Sequence, residues 1–131
     1  MSIHESGNYT SVEDLMSKVR AFVNGNNWTE EHFGTVSGGH QYHAVRSGVH
    51  INIRSGVDTT LFSGSGGGSF SGLGINGSTA AYSSGLSWDQ QGGTGLFAGK
   101  GATLDDVFNS GSNAYQLFAR NGGDQIFLLC A

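Results

Sequence analysis

Residues 11–24 (SVEDLMSKVRAFVN) carry the only strong helix signal in the chain, and that limits what the rest can be. Val12, Leu15, Met16, Val19, Phe22 and Val23 recur at three- and four-residue spacing and make one apolar face. Ser11 is a natural N-cap, and Asp14 three positions on resembles a capping box with a shorter acid. Glu13 and Asp14 lie at the positive end of the helix dipole, Lys18 and Arg20 nearer the negative end, and Gly25 is placed to stop the helix. Trp28, in NNWTEEHF, is expected to pack back onto it. A lone amphipathic helix must lay its stripe on another element, and the remaining chain offers short alternating segments and turns. The expected class is therefore α+β: an N-terminal helix packed on an antiparallel β-sheet or small β-sandwich with long Gly/Ser-rich loops. At 131 residues this is a single domain, 1–131, long enough to bury a core.

Residues 40–54 (HQYHAVRSGVHINIR) read as a β-hairpin turning at Ser47-Gly48. Pairing Arg46 with Val49 puts Val45 opposite His50 and His43 opposite Asn52. Alternation then places Tyr42, Ala44, Val49, Ile51 and Ile53 on the core face. His43, Val45, His50, Asn52 and Arg54 share the other face. Residues 57–62 (VDTTLF) suggest a further short strand, 78–88 and 95–99 short strands or ordered loops, and 103–107 (TLDDV) one helical turn. Residues 114–131 form a second hairpin, AYQLFAR and QIFLLCA around Asn121-Gly122-Gly123-Asp124. Its second strand is apolar on both faces, which puts it at the centre of a sheet or under a neighbouring subunit.

Composition excludes several functions. The net charge is −4 and the six Lys and Arg residues are scattered, so the basic footprint that neutralises phosphates is missing and no direct nucleic-acid contact is expected. Cys130 is the one cysteine; an internal disulfide is impossible, and it reads as a small core residue. The longest apolar run, residues 126–131, falls far short of the ~20 residues of a membrane span, so no membrane insertion is expected. The polar opening MSIHES lacks the apolar region of a secretory signal, which points to synthesis in a cytoplasm. With 23 glycines and no proline, turns fall to Gly, Asn and Asp, and no rigid linker divides the chain.

The chemical motifs fail on context. Gly72-Leu-Gly-Ile-Asn-Gly77 is a formal dinucleotide fingerprint, but no apolar strand precedes it, no helix opens on it, and no acid stands about 20 residues on. Gly95-Leu-Phe-Ala-Gly99-Lys100 has one residue too few between its glycines for a P-loop, and Gly101 offers no hydroxyl for Mg²⁺. His43 and His50 are diagonal neighbours on one face of the hairpin and are the metal candidates, but a zinc site needs three or four ligands. His40 faces the opposite way. No nucleophile elbow or flanking carboxylate pair is present, so the expectation is a non-enzymatic protein without a cofactor. Tyr82 and Trp88, near Asp89, Gln90 and Gln91, are the candidates for a sugar-stacking surface.

The helix followed by NNW, then VHINIRSG, INGSTAAYSSGLSWDQQ and AYQLFARNGGDQIFLL, together resemble small virion structural proteins of tailed bacteriophages. The resemblance spreads over most of the chain and transfers no site residue. It implies a homo-oligomeric neck or collar, tail or baseplate component that contacts other virion proteins, is assembled in the host cytoplasm and resides in the virion. On this reading the Gly/Ser-rich stretch 63–78 is a pliable arm whose apolar anchors Phe70, Leu73 and Ile75 are subunit-contact candidates. Its removal is then expected to spare the folded helix–sheet core. The alternatives are a carbohydrate- or receptor-binding β module of a phage or bacterial surface, using Tyr82 and Trp88, and a small metalloprotein using His43 and His50.

Overall fold

The helix α1 (Val12–Asn24) forms where the periodicity places it. Ser11 is extended, and its Oγ accepts the Asp14 N–H at 2.9 Å, a cap that contributes about 1 kcal/mol. The return bond differs from a capping box. Asp14 Oδ2 accepts from the Thr10 N–H at 2.8 Å, one residue before the cap, and this bond holds the Asp14 carboxyl below its ordinary pKa. Gly25 caps the C-terminus in right-handed backbone; the left-handed residue that redirects the chain is Asn27, with φ of 68°.

The structure, a computed structural model, describes residues 3–59, 70–91, 102–105, 114–123 and 125–130. Besides α1 these residues form β1 (His4–Asn8), β2 (Thr29–Val36), β3 (Gly39–Arg46), β4 (Val49–Thr59), β5 (Phe70–Ser78), β6 (Ala102–Asp105), β7 (Ala114–Arg120) and β8 (Gln125–Cys130). Strands β2 to β6 make a five-stranded antiparallel meander in chain order, and the second sheet has the order β1-β7-β8. The class is β-rich α+β. The β3–β4 hairpin has the register that alternation predicts, with Arg46 opposite Val49 and His43 opposite Asn52. Ser47 and Gly48 both take positive φ, 50° and 77°, the turn that matches the twist of the flanking strands.

One apolar core joins all three layers. The stripe of α1 meets Tyr42, Ala44, Ile53 and Leu73 of the five-stranded sheet and Tyr115 and Leu117 of the three-stranded sheet, with Tyr9 and Trp28 closing its ends. Trp28 packs back as expected, and also fastens the second hairpin: its Nε1–H donates to Gly123 O at 2.7 Å, while Asn27 Nδ2 donates to Gly122 O at 2.9 Å. Gly123, at φ of 104°, lies so close that a Cβ there would overlap the Asn26 carbonyl.

The β5 strand overturns the largest expectation. Residues 70–78, the second half of the supposed arm, are hydrogen-bonded between β4 and β6; residues 60–69 lie outside the described residues. Leu73 is wholly buried in the chain's own core and Ile75 packs against that core, so these two anchors meet their own chain; the side chain of Phe70 lies outside what is described. Loss of 63–78 would take a strand from the middle of the sheet, so the core would not survive it. Other expectations are corrected too. Residues 57–59 end β4, beyond an irregularity between Gly56 and Thr59, and form no separate strand. Residues 103–105 extend as β6, because pairing with β5 satisfies backbone groups that a single turn would leave to water. Among the described residues strand β8 pairs on one side only, with β7, and so stands at the edge of its sheet. The segment 95–99 lies outside the described residues.

Gly74 of β5 has a packing reason. Trp88 sits on Gly74, where a methyl group would overlap Cη2 and Cζ2 of the indole. Gly74→Ala is expected to cost about 1–3 kcal/mol by overpacking. In a urea-unfolding double-mutant cycle, Trp88→Leu should recover part of that loss; strictly additive effects would show that the indole does not occupy this gap.

Candidate functional site

The face of the five-stranded sheet turned away from α1 is buried yet polar. His43, His50, Asn52, Arg54, Asn76 and Ser78 are each at most 8% exposed. They are covered by residues 79–91, which carry Tyr82, a short 3-10 turn at Trp88–Gln90, and Gln91. Gln91 holds this cover in shape: its amide donates to Ser83 O and Leu86 O at 2.8 Å each and accepts from the Ser83 N–H at 2.7 Å.

A β-bulge supplies residues that simple alternation would not. Between Glu30 and His32 the β2–β3 register shifts, so Glu31 is an extra residue. Glu30 then stays on the helix side, where Arg20 grips it through two bonds of 2.6 and 3.0 Å and holds its carboxyl below the ordinary pKa. Glu31 and His32, adjacent in sequence, both reach the far face. Glu31 Oε1 meets His50 Nδ1 at 2.6 Å, and its Oε2 accepts the Tyr82 N–H at 3.3 Å. His32 stacks on Tyr82 at 4.4 Å between ring centroids, nearly parallel, and His43 lies against Tyr82 at the same distance, tilted by 38°.

His43 is fully buried between two amides, with Nδ1 2.6 Å from Asn52 Oδ1 and Nε2 3.0 Å from Gln41 Oε1. Burial lowers its pKa, with the neighbouring His32 adding in the same direction against the Asn52 bond. A neutral imidazole donates from one nitrogen and accepts at the other. The buried Asn52 already donates Nδ2 to Ser78 Oγ at 3.2 Å, so Nδ1–H of His43 donates to Asn52 Oδ1. The other ring nitrogen, Nε2, lies against the side-chain amide of the half-buried Gln41. Arg54 donates to Ser37 O at 2.6 Å, and burial lowers its pKa, opposed by Asp89 and Glu13.

Chemically this is a cover pinned onto a sheet. The expected hairpin register does bring His43 and His50 to one face, but their Nδ1 atoms turn to Asn52 and Glu31, and no group of three or more His, Cys, Asp or Glu among the described residues is placed to hold a metal ion. Ser78 Oγ donates to Ala80 O at 3.3 Å. On the opposite face Ser55, wholly buried, donates to Glu13 Oε1 at 2.6 Å while His40 Nδ1 lies 2.6 Å from Glu13 Oε2. That trio clasps the start of α1 to β3 and β4, and it confirms that His40 faces away from His43. The stacking candidates are corrected: Trp88 is 3% exposed beneath the cover, and Tyr82 spends its ring on His32 and His43. Sequence reading did not give Glu31 and His32 their places, because the bulge breaks the alternation that would have marked TEEHFGTV as a strand, and it named Gln91 only as a neighbour of Tyr82 and Trp88.

Comparison with protein-family models, curated proteins and solved structures finds no match to this chain.

Two outcomes are expected. Because His43 is held neutral in the fold while the unfolded chain protonates it near pH 6.5, its contribution is complete above that pH and is lost as pH falls through the lowered folded value. Urea midpoints of the wild type should therefore fall more steeply between pH 7.5 and 5 than those of His43→Gln; parallel curves would refute the assignment. Glu31→Ala removes both bonds of the carboxylate and should cost about 1–3 kcal/mol, with faster hydrogen exchange at the Tyr82 amide; an unchanged Tyr82 rate would show that Glu31 does not pin the cover.

Proposed function

We propose that the chain is a non-enzymatic structural subunit that acts by assembling, as a homo-oligomeric neck or collar, tail or baseplate component of a tailed-phage particle. One observation carries the assembly reading. Strand β8 pairs with β7 on one side, and among the described residues no strand pairs with its other side. Phe127 and Leu129 on this strand are 49% and 60% exposed. Beside it lies an open apolar groove of about 350 Å³, lined by Trp28, Val49, Ile51, Gln125, Ile126 and Phe127. An uncharged, apolar strand edge invites pairing with another chain, and folded proteins blunt such edges unless they use them.

The particle type rests on the resemblance of four segments to small virion proteins, and the virion location and the contacts with other virion proteins come with it. The commitment of both faces of the five-stranded sheet to the chain's own helix and cover supports a building block over a ligand-binding module. Native mass of the full chain is the test. A discrete oligomer that grows in population with concentration is expected; a monomer at every concentration would overturn the reading.

A further inference from the structure

We propose that the cover over the polar face is a pH-operated lid: residues 79–91 stay closed on the five-stranded sheet at neutral pH, and in acid they lift as one piece while the helix and both sheets remain folded. The inference stands apart from the assembly reading, because every group it uses belongs to one chain.

The trigger is the crowding of imidazoles beneath the cover. Strand β2 brings Glu31 and His32, β3 brings His43, β4 brings His50, and the cover brings the phenol of Tyr82. The rings of His32 and His43 lie 5.9 Å apart between centroids, and each is 4.4 Å from the ring of Tyr82. Glu31 is the carboxylate of this group, and its Oε1 already meets His50 at 2.6 Å. Two further charged groups of this face, Arg54 of β4 and Asp89 of the cover, attract each other. Arg54 is opposite Gly74, the residue on which Trp88 sits.

Histidine is the side chain that changes charge between about pH 5 and 8. Protons on both His32 and His43 would set two like charges 5.9 Å apart in a place from which the cover keeps water. For His43 burial opposes the proton most, and His32 adds to it; Asn52 and Glu31 act the other way without cancelling it. Lifting the cover lets water reach both rings and screen each from the other. The open form therefore binds more protons than the closed one. Closure is complete above the ordinary imidazole value and weakens as pH falls through the lowered value of His43, by up to about tenfold per pH unit for each extra proton.

The cover is built to move as a unit and apart from the core. Gln91 ties it together through Ser83 and Leu86. Its bonds to the sheet include two long ones, the Tyr82 N–H on Glu31 and the Asn76 amide on Asp89 O, both 3.3 Å. Trp88 is buried, yet it stands outside the apolar cluster around α1. Tyr42, Ala44, Ile53 and Leu73 belong to that cluster, on the helix side of the sheet, so they stay covered when the lid lifts.

Hydrogen exchange of the full chain, followed by NMR from pH 7.5 to 5 at constant ionic strength, tests this. Protection factors divide out the intrinsic pH dependence of exchange. The Tyr82 amide and the Trp88 indole N–H should each lose about tenfold or more in protection. The Trp28 indole N–H, which donates to Gly123 O in the core, should keep its protection. His32→Gln, at a half-buried position, and His43→Gln should each flatten the pH dependence. Glu31→Gln, which keeps an acceptor for the Tyr82 amide but no charge, should move the opening to higher pH. Protection at Tyr82 and Trp88 that is flat with pH, or that falls equally at Trp28, overturns the inference. An unaltered pH dependence in either histidine variant does the same, and His32→Gln decides alone if His43→Gln does not fold. Loss of the pH dependence in Glu31→Gln would make the carboxylate the trigger, and the histidine lid would fall with it.

Discussion

The burial of one helical stripe against two sheets at once is the constraint on which the molecule rests. Six apolar residues of α1, each no more than 3% exposed, form one buried cluster with Tyr42, Ala44, Ile53 and Leu73 of the five-stranded sheet and Tyr115 and Leu117 of the three-stranded sheet. Without the helix neither sheet has a core of its own. The polar contacts at its ends set its position: Glu13 ties its first turn to Ser55 and His40, and the Asn26–Trp28 corner ties its last turn to the β7–β8 turn. The Tyr115 hydroxyl, pushed up to about 12 by burial and by donating to Glu5, fastens β1 to the same layer.

A helix covers one face of a sheet, so the second face of the meander needed another solution. An apolar second face would have required a second helix. Here the cover is an irregular segment, whose many backbone groups need hydrogen-bond partners, and the sheet answers with side chains that supply them. Glu31 receives the Tyr82 amide, Ser78 and Asn52 bridge to His43, and Asn76 donates to Asp89 O. The one large apolar group of the cover, Trp88, enters where Gly74 leaves room. His43, whose pKa burial lowers, thus bonds to Asn52 and lies with His32 against the ring of Tyr82, while His50 meets Glu31.

What was legible in the sequence followed from local rules. The helix and its N-cap were read from spacing and from Ser11, the first hairpin and its register from Ser47-Gly48, and the second from its glycine turn. The failures share one cause: a local rule met a non-local partner. Glycine in residues 70–78 signals a loop when taken alone, and only the indole of Trp88, 14 positions away from Gly74, reveals the strand. TEEHFGTV hid its alternation behind the bulge at Glu31. HESGN has no strand character of its own and is extended because Tyr115 and its neighbours in β7 pair with it. The candidate site was half visible: His43 and His50 shared a face and His43 met Asn52 as the register implied, but Glu31 came from the bulged β2 and Tyr82 from the cover, whose positions no spacing predicts.

The pairing of β1 with β7 has a consequence in time. Glu5 and Tyr115 are 110 residues apart in sequence, so β1 leaves the ribosome long before its partner exists. The helix and the meander, whose strands pair with their immediate successors, can settle while synthesis continues, because short-range contacts form first. The first strand made is therefore among the last to dock. Until β7 emerges it is a polar, weakly strand-forming segment, and that poverty in apolar residues, which concealed it from sequence reading, also keeps it from sticking to the wrong partner.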